Sequence, residues 1–505
     1  MPKVLISTLT QGQYDLGYKT LMIGSATTGS SVTTGELVTN IRSASALATA
    51  IGNDNFLYNM ARKYWLADPN YETQLDYIFL AEEGGATATT ITTAVSGSAT
   101  ADGSVTLVVG EREWTVTVAI SNGDAATDVV DDFVTALNAL SYFPFTASNA
   151  TGTLTLTSNV KGGIGQVPVK LTGSAAGITF GALTNNAGST PPLATGIKTI
   201  LDGVIGAKYD MIIVEDEVVL TPIISMLDTY ITINNENKSG ALVIPLVDTY
   251  ANLLTAQTSY NKRNIPIFGL KTITDTSTEI NSNHVFATPC LFLGYWAGVL
   301  AVCLTDDADC SSFLGGANIV TGTPSNRSIP FADIVTTKYY TTDAQGWTQT
   351  EIDGLETGGI TAFYNNKAGN LVINNLVSTY LTNGDGNPDS TYHFFNDWLS
   401  SDFANGYMFE AAKAQKHQRL ESETANGKMI ALFAGWYDTL SNVEEDSSGN
   451  RYSILDSGGK SDFMDSVRNT MTIDFSLGRV TVSRAVETLL AQFRELRLYN
   501  LFKHI

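Results

Sequence analysis

Apolar residues in this chain come in short runs separated by Gly, Ser, Thr and Asn, and the period within the runs changes from two to about three and a half and back. Lys3 to Thr10 is β-rich and ends at the break Gln11-Gly12-Gln13. A strand at a terminus needs a sheet to join, its own or a neighbour's. Tyr18 to Gly24 predicts a second strand, running into a Gly/Ser/Thr loop to Gly35. Ser43 reads as the N-cap of a helix through Ala50 that Gly52 ends. Phe56 to Trp65 predicts another helix, closed by Asp68-Pro69, and Leu75 to Leu80 a strand.

At Gly84-Gly85 the pattern shifts. Charges thin out and Thr, Ala, Gly and Ser dominate as far as Pro191-Pro192. Val105 to Val118 alternates on both sides of Gly110 and predicts a hairpin. Asp124 is placed as the cap of a helix carrying Val129, Val130, Phe133, Val134 and Leu137 on one face. Strands follow at Phe145–Ala147, Thr153–Thr157 and Val167–Leu171. These elements make an α+β module of their own, expected to face solvent.

Strand and helix then alternate: Ile197–Ile205 helical, Tyr209–Val214 strand, Thr221–Ile231 helical, Ala241–Pro245 strand, Ala251–Asn261 helical, Ile265–Leu270 strand. Short joints between such elements predict an α/β layer. The apolar segment Thr288 to Cys303, interrupted by Gly294 and Gly298, is too short for a membrane span and predicts a buried core helix. Gly359–Asn366 and Asn370–Asn375 predict a hairpin, and Tyr392–Phe403 a helix. Thr470–Phe475 and Arg479–Ser483 predict strands either side of Gly478, before an amphipathic helix bearing Val486, Leu489, Leu490, Phe493, Leu496 and Tyr499.

Charge changes the picture. The 505 residues carry a formal net charge of −21, which disfavours nucleic acid and anionic lipid as partners of the body. The two ends differ from it. Residues 1–20 contribute +1 and residues 479–505 contribute +3, which leaves −25 between them. Basic ends on an acidic body suggest docking onto something acidic, and another copy of the chain is the nearest such surface. Three cysteines, Cys290, Cys303 and Cys310, form no disulfide framework and fit buried thiols in a reducing compartment. The N-terminus lacks an apolar signal core, so folding in a cytoplasm is expected.

The sequence offers little chemistry. His284, His393, His417 and His504 stand far from each other and from the cysteines, so no metal is expected. Ser457-Gly458-Gly459-Lys460-Ser461 has the end of a phosphate loop, but Ile454 occupies the place of its first glycine. Asn383 to Asp389 has the look of a calcium loop, but Pro388 and Phe394 fall where Gly and Glu are needed. No Gly-x-Ser-x-Gly elbow and no dinucleotide fingerprint occur; Gly163-Ile164-Gly165 has Pro168 where the third glycine belongs. The acidic pairs Asp131-Asp132 and Asp306-Asp307 suit a solvated face. No enzyme, no cofactor and no metal are therefore expected.

Several passages, in order, resemble the sheath protein of contractile bacteriophage tails, of the myovirus, Mu-like type. They are Val38 to Ala48 with Ile51-Gly52-Asn53 and Leu57-Tyr58-Asn59-Met60, where Ile51 stands in place of a frequent Phe. Within the Thr-rich module they are Val109-Gly110-Glu111, Gly123 to Ala126, Phe145-Thr146-Ala147 and Leu154 to Thr157 before Lys161-Gly162. Lys208 to Val214, Asn261 to Pro266, Ala362 to Tyr380 and Asp389 to Phe403 complete the series. The chain ends in Leu501-Phe502-Lys503-His504-Ile505, where the family often has a basic, Pro-containing tail.

The resemblance implies a multidomain α/β and α+β fold of tail-sheath architecture. Its parts would be an N-terminal arm (1–17), an α/β layer domain (18–85 with 193–330), an inserted β-rich α+β surface domain (86–192), a C-terminal α+β domain (331–478) and a C-terminal arm or helix (479–505). It implies a structural subunit that polymerises as stacked hexameric rings around a tail tube and contracts to drive the tube through the host envelope during genome delivery. The partners would be copies of itself, the tube protein, the baseplate and the tail terminator, in a virion assembled in the host cytoplasm, with no nucleic acid and no membrane insertion. Neighbours would be linked by strands donated from extended arms. Val4, Leu5, Ile6 and Thr8 would serve at one end. Val480, Val482, Arg484, Ala485, Phe493, Arg494 and Arg497 would serve at the other, with hinges at Gly12 and Gly478. A baseplate or surface-array subunit, the sheath of a phage-derived injection particle, and a carbohydrate-active enzyme stay open as alternatives.

Overall fold

The structure, a computed structural model, describes residues 19–25, 37–67 without 40 and 42, 74–80, 87–188 without 111–113, 166 and 168, 209–215, 240–271, 289–306, 347–395 without 366–370 and 374, 398, 425–452 without 442–443 and 446–450, and 459–481 without 475–478. The expected helices at 197–205 and 221–231 and the amphipathic C-terminal helix lie outside the described residues, as does most of the one at 392–403.

The first strand among the described residues, β1 (Lys19–Ser25), is buried almost throughout and is followed by the short β2 (Leu37–Val38). Helix α1 (Ala44–Ile51) begins and ends as its sequence predicts. The Ser43 hydroxyl accepts the Ala46 N–H, and Gly52 closes it at φ 82°. Helix α2 (Phe56–Ala67) and strand β3 (Gln74–Leu80) follow.

The Thr-rich stretch folds as β4 (Ala88–Gly97), β5 (Gly103–Val109), β6 (Trp114–Ile120), helix α3 (Ala126–Asn138), β7 (Phe145–Ala150), β8 (Thr153–Lys161), β9 (Val169–Ser174), β10 (Ile178–Phe180) and β11 (Thr184–Asn186). The predicted hairpin is β5–β6, with Gly110 at φ 60°. One correction applies to the helix start. Asp124 accepts the Ser121 N–H and shapes the preceding turn, while Asp128 reaches back to the Ala125 N–H. Two antiparallel sheets result, β10-β4-β8-β7 and β6-β5-β9, and α3 packs against both β7 and β6. Alternation sets the core. In β6, Trp114, Val116, Val118 and Ile120 are buried while Thr115, Thr117 and Ala119 face out.

This insertion is not free of the body. Phe56 of α2 meets the ring of Trp114 edge-on at 6.5 Å and that of Phe145 at 5.8 Å. Tyr58 lies 5.4 Å from Tyr142, and the Arg62 guanidinium sits 4.7 Å from the Tyr142 ring centre. Asn59 Nδ2 donates to the Tyr142 carbonyl at 2.9 Å, and Asn159 Nδ2 to that of Asp54 at 3.0 Å. One continuous apolar core runs from α2 into both sheets of the insertion.

The chain then returns to β1. Strands β12 (Met211–Val214), β13 (Ala241–Leu242) and β14 (Ile244–Asp248) lead to helix α4 (Tyr250–Gln257) and strand β15 (Ile267–Lys271). Helix α5 (Pro289–Asp306), helix α6 (Gln349–Thr357), β16 (Ile360–Asn365) and β17 (Leu371–Ile373) follow. β1 pairs in parallel with β3 on one side and β12 on the other; β12 with β13, β14 with β15 and β15 with β16 are also parallel. β2 and β17 close the edges antiparallel. β13 and β14 are one extended segment, bonded on both sides over Ala241–Ile244 and to β15 alone beyond that. Proline explains the change. The Ala241 and Val243 N–H groups donate toward β12, to the Asp210 and Ile212 carbonyls. Pro245 is next in that alternation and has no N–H to give.

Helices α2 and α5 cover one face of this sheet with Met22, Phe268 and Phe363, and α4 and α6 pack over β14, β15 and β16 in a second core that also takes in Leu21, Ile23 and Ile212. Helix α5 is buried as expected, with Trp296 centred 5.1 Å from Phe363 and 6.3 Å from Phe268. Gly294 faces the α2 backbone so closely that a Cβ there would collide with the Met60 carbonyl oxygen. A division at residue 330 therefore runs through a sheet, because β16 pairs with β15. The segment after β17 is tied to the same layer. Asn261 Oδ1 accepts the Leu381 and Thr382 N–H groups, and Gln257 Nε2 donates to the Thr379 carbonyl at 2.7 Å.

Last come α7 (Ala425–Ser441), the strand pair β18 (Glu444–Glu445) and β19 (Arg451–Tyr452), α8 (Lys460–Thr470), and β20 (Thr472–Asp474) with β21 (Arg479–Thr481). Phe463 of α8 packs on Tyr437 and Phe433 of α7, at ring distances of 4.8 and 6.4 Å.

Candidate interaction sites

Of the residues expected to join neighbours, one is described. Val480 lies in β21 opposite Ile473, within an antiparallel pair that also sets Thr472 opposite Thr481 and Asp474 opposite Arg479. The other positions, Val4, Leu5, Ile6, Thr8, Gly12, Gly478, Val482, Arg484, Ala485, Phe493, Arg494 and Arg497, lie outside the described residues. The hairpin follows α8 after a single residue, Met471, whose N–H donates to the Val467 carbonyl at 2.9 Å. Among the described residues no third strand pairs with β20 or β21. A two-stranded hairpin of this length is marginal on its own and gains stability when a further strand joins it.

The stretches that mimic ligand loops are closed on themselves. Gly459 precedes the first turn of α8, and Lys460 Nζ is paired with Asp438 of α7. In the loop from Asn383, the Asn383 Oδ1 accepts the Asp385 and Asn387 N–H groups, both at 3.0 Å. Asp389 Oδ1 accepts from Thr391 N and Oγ1, and its Oδ2 accepts the Tyr380 hydroxyl at 2.8 Å. These bonds, the Thr391 hydroxyl first, hold the Asp389 carboxyl below its ordinary range. Burial and the bond to Asp389 push the Tyr380 phenol up. Among the described residues no group of His, Cys, Asp and Glu is placed to hold a metal ion, and no helix is long and apolar enough to cross a membrane.

Sequence reasoning missed one polar feature, at the carboxyl end of the parallel sheet. The buried Glu215 follows β12, beside Gly24 of β1, and its Oε2 accepts the Ser25 N–H at 2.5 Å. The signal was there: the apolar strand Met211–Val214 ends on an acid, and its neighbour β1 ends on Gly24-Ser25. At the other end of the sheet, the buried Asp76 takes an ion pair from Lys19 at 3.1 Å and the Tyr209 hydroxyl at 3.1 Å.

No protein-family model matches the chain, and no curated protein matches it. Among solved structures, it is similar to the sheath tail protein of Desulfitobacterium hafniense, at 11% identity and a TM-score of 0.42 over 86% of this chain and 89% of that one. It is similar to the sheath tail protein Lin1278 of Listeria innocua, at 9% identity and a TM-score of 0.43 over 96% and 97%. A chain of the anti-feeding prophage baseplate is similar over 61% of this chain and 72% of its own, at 11% identity and a TM-score of 0.38. No residue role transfers at these values.

Proposed function

We propose that this chain is a structural subunit of a contractile tail sheath, stacking as six-membered rings around a tail tube and shortening to drive that tube through a cell envelope. The reading rests on the ordered sequence passages given above. The observation that fits it is the antiparallel pair β20–β21, which stands next to the C-terminal segment. Strand addition from a neighbour would complete it: main-chain hydrogen bonds supply affinity, and alternate side chains fix the register. The segment Val4 to Thr8 has the composition of such a strand, and the segment after Thr481 would continue outward to a neighbour. Gly12 and Gly478 would absorb the rotation as subunits move. Charge favours the same arrangement, because the ends are basic and the body is acidic. Shortening then needs no nucleotide. A small free-energy difference per subunit multiplies over the lattice. The work would be mechanical, with no catalytic residue and no cofactor.

Electron microscopy of the chain, alone and co-expressed with its tube protein, tests this. Tubes of repeating rings are expected, and deletion of residues 1–12 should abolish them. Regular tubes from the deleted chain would refute the donated N-terminal strand. Dispersed monomers from the full chain with its tube protein would refute the assembly reading altogether.

A further inference from the structure

The central sheet places one position where ligands of other α/β proteins bind. In chain order the first parallel strand, β1, lies inside the sheet, with the second, β3, on one side and the third, β12, on the other. The connections thus depart in opposite directions from the gap between β1 and β12. In open α/β sheets, the crevice outside the carboxyl ends of two such strands is the usual binding place, and backbone N–H groups there commonly hold anions.

Here those carboxyl ends are Gly24-Ser25 and Val214-Glu215. The Glu215 N–H donates to the Ile23 carbonyl at 2.9 Å, which fixes Glu215 alongside Gly24. Its side chain folds over Gly24, and its Oε2 accepts the Ser25 N–H. The glycine makes room for it. A Cβ at position 24 would collide with Glu215 Oε2 and stand 2.9 Å from Leu57 Cδ1 of α2. Glu215 is 6% exposed, so its carboxyl group is withdrawn from water at a cost that bonding must offset. A carboxylate is in the place, and in the bonding role, of a ligand anion.

We propose that the space beside Gly24, faced by the Ser25 N–H, is a small-oxyanion site that the chain keeps filled with its own Glu215 carboxylate. The inference is independent of the assembly reading, and its test uses the unassembled chain. Glu215→Ala removes a fragment the size of acetate, so sodium acetate and sodium phosphate are the probes, against sodium chloride at equal ionic strength. In the variant, either probe at about 100 mM should raise the thermal midpoint, saturably, by on the order of 1–3 °C more than it raises the parent's. Adding Gly24→Ala to the variant should remove that excess, because the new methyl group takes the vacated space. No excess from either probe, or an excess that survives Gly24→Ala, would overturn the proposal.

If Glu215→Ala alone is not recovered folded, the pair Gly24→Ala/Glu215→Ala is compared with Gly24→Ala. The site as described requires the pair to melt higher than the single variant, since the methyl and the carboxylate compete for one volume. A pair that melts at or below Gly24→Ala would refute it.

Discussion

Single atoms decide the sign of several substitutions in this chain. Gly294 lies within α5, where Ala would ordinarily stabilise a helix by up to about 1 kcal/mol. Its missing Cβ, however, is what lets α5 approach the Met60 carbonyl. Gly294→Ala is expected to cost about 1–3 kcal/mol instead, read as a lower urea midpoint at unchanged slope. Asp389 gives a pH dependence with a defined sign. Its carboxyl is held below the ordinary value of 3.8, so the folded state favours the ionised form. That contribution is present in full above the unfolded value and is lost as pH falls through the folded one. Asp389→Asn should therefore flatten the fall in stability below about pH 4, and a parallel fall in parent and variant would count against the bonding described here. Tyr380 acts at the opposite end. Its raised phenol contributes stability below 10.0 that is lost as pH rises beyond it.

At the scale of elements, the aromatic contact between α2 and the insertion sets how the two unfold. Trp114 is buried between Phe56 and Phe143. Trp114→Ala should cost about 3–5 kcal/mol and split calorimetric unfolding into two transitions. A single transition, merely lowered, would show that the hydrogen bonds of Asn59 and Asn159 suffice to couple them. Much of this scale is legible in the sequence, for physical reasons. Period-two alternation marks β5 and β6, and Ser43 with Gly52 brackets α1. The central strand Met211–Val214 and the stretch Ile267–Leu270 of β15 carry no polar side chain because both faces are covered. What stays hidden is non-local. Helices α6, α7 and α8 begin with polar turns, and their packing on β16 or on each other brings together distant parts of the chain. Phe56 looks like any core residue until Trp114 and Phe145 come to it from a different part of the chain. The bond between Glu215 and Ser25 joins residues 190 positions apart. No local pattern encodes such a pairing.

For the whole molecule, the layout is a broad parallel sheet with helices on both faces, an insertion anchored on one of those helices, and a hairpin reached through α7 and α8. The sheet's two halves share one segment, bonded to both over only a few residues. Ala241–Asp248 belongs to both halves, and the ladder toward β12 stops where Pro245 has no proton to give. Ala241–Ile244 is bonded on both sides, whereas beyond it the described pairing runs to β15 alone, so a twist between the halves meets less resistance past Ile244 than before it. The imino acid thus acts as a crease. Pro245→Ala would allow one more rung, toward the Val214 carbonyl, and should slow amide exchange in β12 and β14 relative to the parent. Unchanged exchange would mean that the two halves are already stiffly joined, and that any flexing happens somewhere other than this fold line.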